Sequence, residues 1–177
     1  MMTLRHDVLT GKTAIISGSS SGIGASLARK MIGAGCTVYG AARRYEEDWP
    51  EKPVSRDDPK QGAFWPVRLD VTDARAVAET VSRVLDREGK IDYLILSAGA
   101  GIAGAVEECP VSDVRDQLEV NLIGQSAFLP PVLTAMRQRN SGLVVFIGSA
   151  AGFLPIPFQA WYSASKAAIQ ALSLALD

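Results

Sequence analysis

A glycine-rich turn, SGSSSGIG at residues 17–24, has the residue types that bind phosphate groups. It follows a run typical of a buried strand, Thr13 to Ser17, and it opens a helical pattern from Gly22 to Ile32. The N-terminus of a helix offers unpaired N–H groups and a positive dipole end, and glycines let a backbone approach a phosphate closely. The turn therefore predicts a pyrophosphate site, with the spacing GxxxGxG where the generic dinucleotide fingerprint has GxGxxG.

Two other motifs lie within or close to this turn. Gly18, Ser20 and Gly22 spell GxSxG, the pattern of a hydrolase nucleophile, but that chemistry needs a histidine downstream and the single histidine is His6. The letters GKT at residues 11–13 would end a P-loop only if a glycine stood in place of His6. The sequence therefore disfavours a serine hydrolase and excludes a P-loop, and one histidine with two isolated cysteines predicts no metal site.

Two arginines follow the second predicted strand. In dinucleotide-binding folds a carboxylate near this point binds a ribose 2′-hydroxyl, whereas an arginine accommodates a 2′-phosphate. Arg43 and Arg44 stand here, and no carboxylate appears before Glu46. Arg43 therefore favours NADP(H), with NAD(H) as the alternative and Arg44 as either a helper or a solvated surface charge.

A tyrosine and a lysine near the end of the sequence lie four residues apart. Tyr162 and Lys166 stand in a run of helix formers, WYSASKAAIQALSLAL, so both side chains emerge on one helix face. Alone, this spacing is also that of an ordinary surface pair. Ser149 is expected at the end of the fifth predicted strand, at the sheet edge where open α/β folds bind ligands, while Asn121 is a polar residue among apolar neighbours.

The elements that must position these residues alternate between short β-branched runs and helical patterns. This alternation predicts an α/β fold, a Rossmann-like doubly wound parallel sheet in three layers. The length of 177 residues allows one domain, residues 1–177. The five predicted strands are Thr13 to Ser17, Cys36 to Gly40, Phe64 to Leu69, Ile91 to Leu96 and Leu143 to Ile147.

Two intervening stretches differ in character. Residues 111–139 are long enough for one or two helices, and the spacing of Val114, Leu118 and Leu122 predicts a buried apolar face there. Residues 45–61 hold three prolines and many charges, which predicts a surface loop.

Composition excludes several classes of function. The chain has 18 Lys and Arg against 19 Asp and Glu, so no positive surplus exists for nucleic acid or an anionic membrane. The longest apolar stretch is broken by glycines and prolines, which predicts no membrane span. The N-terminal residues lack the apolar run of a signal peptide, and Cys36 and Cys109 are expected to be reduced core thiols. We therefore expect a cytoplasmic protein.

Together these motifs show that the sequence resembles the short-chain dehydrogenase/reductase family over nearly its whole length. It resembles more loosely the hydroxysteroid and retinol dehydrogenase branch of that family. The family turn TGxxxGxG appears here with Ser17 in the threonine place, and the usual NNAG after the fourth strand is LSAG, with Leu96 and Ser97 replacing both asparagines. The resemblance implies a catalytic tetrad of Asn121, Ser149, Tyr162 and Lys166. It implies a cofactor site of Gly18, Ser20, Ser21, Gly22, Ile23, Gly24, Arg43, Arg44, Asp70, Val71, Ala98, Gly99, Tyr162 and Lys166.

The resemblance also implies a reaction, hydride transfer between a nicotinamide and an alcohol or carbonyl carbon. Tyr162 would be the acid or base, with its phenolate stabilised by the Lys166 ammonium. Ser149 would hydrogen-bond the substrate oxygen, and Asn121 would hold a water that links Lys166 to solvent. A non-catalytic nucleotide-binding or scaffolding module of the same fold is the alternative.

Two further expectations concern substrate and assembly. The apolar side chains between Ser149 and Tyr162 favour a fairly apolar substrate, or else packing against a further segment or a second subunit. Family members commonly run to about 250 residues and pair through helices, so we expect a sheet truncated after its fifth strand and a homodimer or homotetramer.

Overall fold

The computed structural model describes residues 8–46, 49, 51–54 and 62–176. The N-terminal arm with His6, parts of the predicted loop at residues 45–61 and Asp177 lie outside these residues. Within the described part, no helix is both long enough and apolar enough to cross a membrane.

Five parallel strands form one sheet in the order β3-β2-β1-β4-β5. The strand order reverses beside β1, and such a reversal opens a crevice at the carboxyl ends of the strands. This confirms the predicted α/β Rossmann-like class. The predicted β1 matches the observed strand, and the ends of the other strands lie within two residues of the predicted ones, because pairing, not composition, sets where a strand stops. The strands are β1 Thr13–Ser17, β2 Thr37–Ala42, β3 Phe64–Arg68, β4 Tyr93–Leu96 and β5 Leu143–Phe146.

Helices cover both faces of the sheet. Alternate residues of a strand point to opposite faces; accordingly, Ile16 packs with Met31 of the first helix, while Ile15 belongs to the core formed with Val77 and Val132. The helices are α1 Gly22–Gly33, α2 Ala74–Glu88, α3 Val111–Leu118, α4 Gly124–Ser126, α5 Leu129–Gln138 and α6 Ala160–Ala175, with a π-helical turn at Glu119–Ile123 and 3₁₀ turns at Val106–Glu108 and Ala150–Gly152.

The prediction of a buried apolar face in residues 111–139 is wrong for two of its three residues. Val114 is buried, but Leu118 and Leu122 are only half-buried. The π-helical turn changes the helical phase, and buried backbone groups beside this stretch need polar partners. Between residues 115 and 125 the side chains that this stretch buries are polar, and they are Gln117, Asn121 and Gln125.

Asp92 anchors the opposite, amino-terminal edge of the sheet. Its buried carboxylate accepts a hydrogen bond of 2.9 Å from Thr13 N–H. Its oxygens lie 3.5 Å from Lys12 Nζ, 3.4 Å from Lys90 Nζ and 3.5 Å from Arg139 Nη2. Burial by itself raises the pKa of Asp92, but the Thr13 N–H and the ammonium groups of Lys90 and Lys12 outweigh it and hold the pKa below its usual value.

The two cysteines differ in burial. Cys36 is a free, fully buried thiol, and burial raises its pKa to about 12, so it is protonated and unreactive as expected. Cys109 is free but only half-buried beside the Val106–Glu108 turn, so its interpretation as a core thiol is wrong.

Candidate active site

A cavity of about 470 Å³ opens at the carboxyl ends of the strands, beside the reversal in strand order. All the residues expected to hold a cofactor line this cavity, Gly24 excepted. Tyr162 and Lys166 line it, whereas Asn121 and Ser149 do not. The lining that the sequence analysis did not anticipate includes Ala41, Ala42, Ser97, Ala100, Gly101, Val120 and Gly148.

The glycine turn is shaped by close contacts that no side chain would permit. Gly18 has a φ of +68°, and a Cβ on it would lie 2.6 Å from Ala98 Cα. A Cβ on Gly24 would lie 2.5 Å from Gly18 O, so Gly24 lies behind the turn and lets α1 pack against it. Gly22 and Ile23 line the cavity at the N-terminus of α1, whose first turn has no acidic residue. The positive end of this helix therefore faces the cavity without a neutralising carboxylate.

Arg43 and Asp70 face each other at the β2 side of the cavity. Arg43 Nη1 lies 4.0 Å from Asp70 Oδ2. The other carboxylate oxygen, Oδ1, accepts hydrogen bonds from Thr72 N–H at 3.0 Å and Thr72 Oγ1 at 2.9 Å, which fix the orientation of Asp70. Arg44 also lines this side. The side chain of Arg43 is 71% exposed, so an anionic group can approach its guanidinium.

Lys166 is a buried cation behind Tyr162. Both residues lie on α6, and Lys166 Nζ is 5.8 Å from the centroid of the Tyr162 ring. The ammonium donates a hydrogen bond of 2.9 Å to Ile147 O, in the residue that follows β5. Burial lowers the pKa of Lys166, because the charged form loses hydration. A neutral carbonyl offsets that loss only in part, so the site favours negative charge close to Nζ.

Asn121 braces the backbone beside the cavity. Its Oδ1 accepts a hydrogen bond of 2.7 Å from Ala100 N–H, and its Nδ2 donates to Ala100 O at 2.8 Å and to Ser165 Oγ at 3.0 Å. A Cβ on Gly99 would lie 3.4 Å from Asn121 Oδ1 and 3.7 Å from Lys166 Nζ. The side chains of Asn121 and Lys166 therefore both lie beside Gly99.

Ser149 does not end the fifth strand as the sequence analysis expected. Strand β5 stops at Phe146, and Ser149 is the N-cap of the Ala150–Gly152 turn, where its Oγ accepts a hydrogen bond of 3.2 Å from Ala151 N–H. A serine with an extended backbone before a helical turn readily takes this capping role. Ser149 is half-buried, and its neighbour Gly148 lines the cavity.

A buried hydrogen-bond cluster stands where LSAG replaces the usual asparagines. Ser17 Oγ accepts bonds from Ser97 N–H at 3.0 Å and Ala98 N–H at 3.1 Å, and it donates to Gln125 Oε1 at 2.9 Å. Gln125 Nε2 in turn donates to Ala98 O at 2.6 Å. Gln117 and Gln125 were not among the site residues predicted from the sequence; their four-residue spacing from Asn121 is the signal that could have revealed them.

Comparisons with known proteins agree with this geometry. Residues 12–177 match the family described as short chain dehydrogenase. The chain therefore belongs to the short-chain dehydrogenase/reductase family, as the resemblance in its motifs indicated.

Two curated relatives illustrate the range of this similarity. The chain is 33% identical over 162 residues to a 3-ketodihydrosphingosine reductase of Bacteroides thetaiotaomicron, covering 92% of this chain and 56% of that protein. It is 34% identical over 164 residues to the 17-beta-hydroxysteroid dehydrogenase type 1 of Homo sapiens, covering 89% and 49% respectively. The chain thus spans about half the length of these relatives.

Solved structures share the fold. A short-chain dehydrogenase from Streptomyces avermitilis superposes with a TM-score of 0.80 at 35% identity, covering 93% of this chain and 59% of that one. A metagenomic short-chain oxidoreductase in complex with NADP has a TM-score of 0.79 at 26% identity, covering 95% and 76%.

Proposed function

We propose that the protein is an NADP(H)-dependent oxidoreductase that interconverts a fairly apolar secondary alcohol with its ketone, or an alcohol with its aldehyde. The observation that carries the proposal is that Tyr162 and the buried Lys166 line the same cavity as the glycine turn. A phenol beside a cation can exchange a proton, and the turn can bind the phosphates of a dinucleotide. Both halves of an alcohol oxidation, proton and hydride, then take place in one cavity.

The cofactor would be held by three groups of residues. The N-terminus of α1 and the turn from Gly18 to Gly22 would bind the pyrophosphate, and Arg43 with Arg44 would bind the 2′-phosphate of NADP(H). Asp70 and Val71 would border the adenine, while Ala98 and Gly99 would border the sugars beyond it. When bound, the nicotinamide accepts or delivers the hydride.

Tyr162 would move the proton at the substrate oxygen. In the direction of oxidation its phenolate accepts the hydroxyl proton, and in reduction its phenol donates a proton to the forming alkoxide. Lys166 would favour the phenolate, since a desolvated ammonium 5.8 Å from the ring gains from nearby negative charge. Ser149 would orient the substrate oxygen, and Asn121 would hold a water linking Lys166 to solvent while it braces Ala100.

Exposed apolar side chains support an apolar substrate. Phe153, Leu154 and Phe158 are 72%, 75% and 69% exposed on the segment between Ser149 and Tyr162. Two relatives carry names that refer to a keto compound with a sphingosine chain and to a hydroxysteroid. We propose that this protein also takes an apolar substrate. We further propose that it is a cytoplasmic homodimer or homotetramer.

Binding and turnover of the complete natural protein test this proposal. Titration with NADPH and NADH should give a lower Kd for NADPH, and a panel of apolar ketones should be reduced with loss of absorbance at the nicotinamide band. Binding of NADPH without turnover of any ketone or alcohol would favour a non-catalytic nucleotide-binding module. Absence of binding to either dinucleotide would overturn the proposed function.

A further inference from the structure

Three buried amide side chains on one helical stretch bind alternate residues of the segment that follows β4. Gln125 Nε2 donates to Ala98 O at 2.6 Å, and Gln117 Oε1 accepts from Ile102 N–H at 2.7 Å. Between them Asn121 bonds both the N–H and the C=O of Ala100. We call this set the amide ladder; its members are Gln117, Asn121 and Gln125, and each is at most 2% exposed.

The spacing of the amides along the helix matches the spacing of alternate residues along an extended segment. In an extended chain, residues i and i+2 are about 6.6 Å apart, and their backbone N–H and C=O groups point to the same side. Four residues of a helix advance about 6 Å. An amide every fourth helical residue can therefore bind every second residue of the segment.

The π-helical turn keeps the ladder in phase. In a continuous α-helix, residues eight positions apart drift by about 80° around the axis, so Gln117 and Gln125 would point in different directions. The wide turn at Glu119–Ile123 absorbs one residue, and the separation then behaves as seven positions with a drift of about 20°. The turn therefore brings both glutamines onto the side that faces the segment.

The two ends of the segment border different parts of the candidate site. Ala98 lies against Gly18 of the glycine turn, since a Cβ on Gly18 would be 2.6 Å from Ala98 Cα. At the other end, a Cβ on Gly101 would be 3.3 Å from Tyr162 Cδ2. Gln125, which also binds Ser17, thus supports the phosphate side, and Gln117 supports the backbone beside Tyr162.

We propose that Gln117 and Gln125 are positioning residues with separate effects: Gln125 sets the affinity for the dinucleotide, and Gln117 sets the rate of the chemical step. This inference rests on the proposed function. It follows from the contacts above, because a displaced Ala98 alters the glycine turn whereas a displaced Gly101 alters the packing of Tyr162.

Methionine variants of the complete natural protein test the separation. Gln117→Met and Gln125→Met keep side-chain length and burial but remove the hydrogen bonds, and Gln138→Met on the exposed end of α5 is the control. A lost buried hydrogen bond changes an equilibrium or a rate by roughly tenfold. We expect Gln125→Met to raise the Kd for NADPH about tenfold with kcat within about threefold, and Gln117→Met to lower kcat about tenfold with Kd within about threefold.

A conservative variant and a measurement independent of activity complete the test. Gln117→Glu keeps an acceptor for Ile102 N–H, so it should recover most of the kcat that Gln117→Met loses. Hydrogen exchange of a peptide covering residues 98–104 should accelerate in both methionine variants without cofactor, and not in Gln138→Met.

Failure of the positioning role and failure of the proposed function give different results. If both methionine variants lower only the thermal midpoint, with Kd, kcat and exchange of this peptide as in the natural protein, the positioning role is wrong. If the natural protein binds no dinucleotide, the proposed function fails, and the exchange measurement still decides whether the glutamines hold the segment.

Discussion

Lys166 Nζ lies 5.8 Å from the centroid of the Tyr162 ring, and the same ammonium donates a hydrogen bond of 2.9 Å to Ile147 O. The two residues are four positions apart on α6, so about one helical turn places both side chains on the face that lines the cavity. The relationship places a buried positive charge behind a phenol that solvent and ligands can reach. Its consequences can be measured separately at each of the two residues.

Replacing Tyr162 by phenylalanine removes the hydroxyl and keeps the ring. We expect Tyr162→Phe to lower kcat by at least about a thousandfold, because no other group then takes the proton, and to change the Kd for NADPH by less than about threefold. Steady-state kinetics and a cofactor titration check these two numbers. Retained activity would remove Tyr162 from the mechanism.

Lys166 should make the stability of the protein depend on pH in the alkaline range. Its pKa in the folded protein is lowered by burial, so the unfolded chain holds this proton more tightly and the free energy of unfolding rises as pH increases toward the usual lysine pKa of 10.5. Lys166→Met should remove that contribution to the slope. Urea unfolding of both proteins between about pH 8 and pH 10.5 measures the difference.

Lys30→Met, which removes an exposed lysine of α1, is the control for the pH experiment. A loss of slope equal to that of Lys166→Met would show that burial at position 166 is not the cause.

Arg43 should discriminate between the two dinucleotides. Arg43→Ala removes an exposed guanidinium that can bind a 2′-phosphate, so we expect the Kd for NADPH to rise about tenfold and the Kd for NADH to change less than twofold. Arg44→Ala is the matched comparison and should have the smaller effect. Equal weakening of both dinucleotides by Arg43→Ala would contradict a phosphate-binding role.

Asp92 should support stability at neutral pH and lose that support in acid. Asp92→Asn leaves Lys12, Lys90 and Arg139 around a neutral amide, which should cost about 3 kcal/mol of unfolding free energy near pH 7. Since the folded pKa lies below the usual 3.8, the contribution is present above pH 3.8 and is lost as pH falls through the folded pKa.

The control for Asp92 is Glu79→Gln, which breaks an exposed pair with Arg75 at 3.9 Å. An exposed pair of this kind contributes little, so the variant should unfold within about 0.5 kcal/mol of the natural protein. A gap between Asp92→Asn and the natural protein that does not shrink as the pH falls below 3.8 would contradict the charge-based explanation.

Local patterns predicted the parts of the site that depend on residue type and short spacing. The strand Thr13–Ser17, the glycine turn after it and the helical pairing of Tyr162 with Lys166 all follow from such patterns. Arg43 could be placed because it directly follows a strand whose carboxyl end meets the cavity.

The remaining features depend on contacts between distant segments. The hydrogen bond from Gln125 to Ala98 joins residues 27 positions apart, and no periodicity of apolar residues announces it. Gln117 is buried and Leu118 is only half-buried, because the part-buried N–H of Ile102 needs an acceptor, which Gln117 supplies. Ser149 was predicted at a strand end but lies at the N-cap of the Ala150–Gly152 turn. The reason is that β4, the strand with which β5 pairs, ends at Leu96.

Asp92 and the cavity stand at opposite rims of one sheet, joined by the four residues of β4. Laboratory evolution could therefore adjust heat or acid tolerance at the charged rim while leaving the reaction rim untouched. Conversely, the stability that Asp92 contributes can offset the destabilisation caused by mutations at the cavity. Substitutions that change dinucleotide or substrate preference are therefore more easily tolerated.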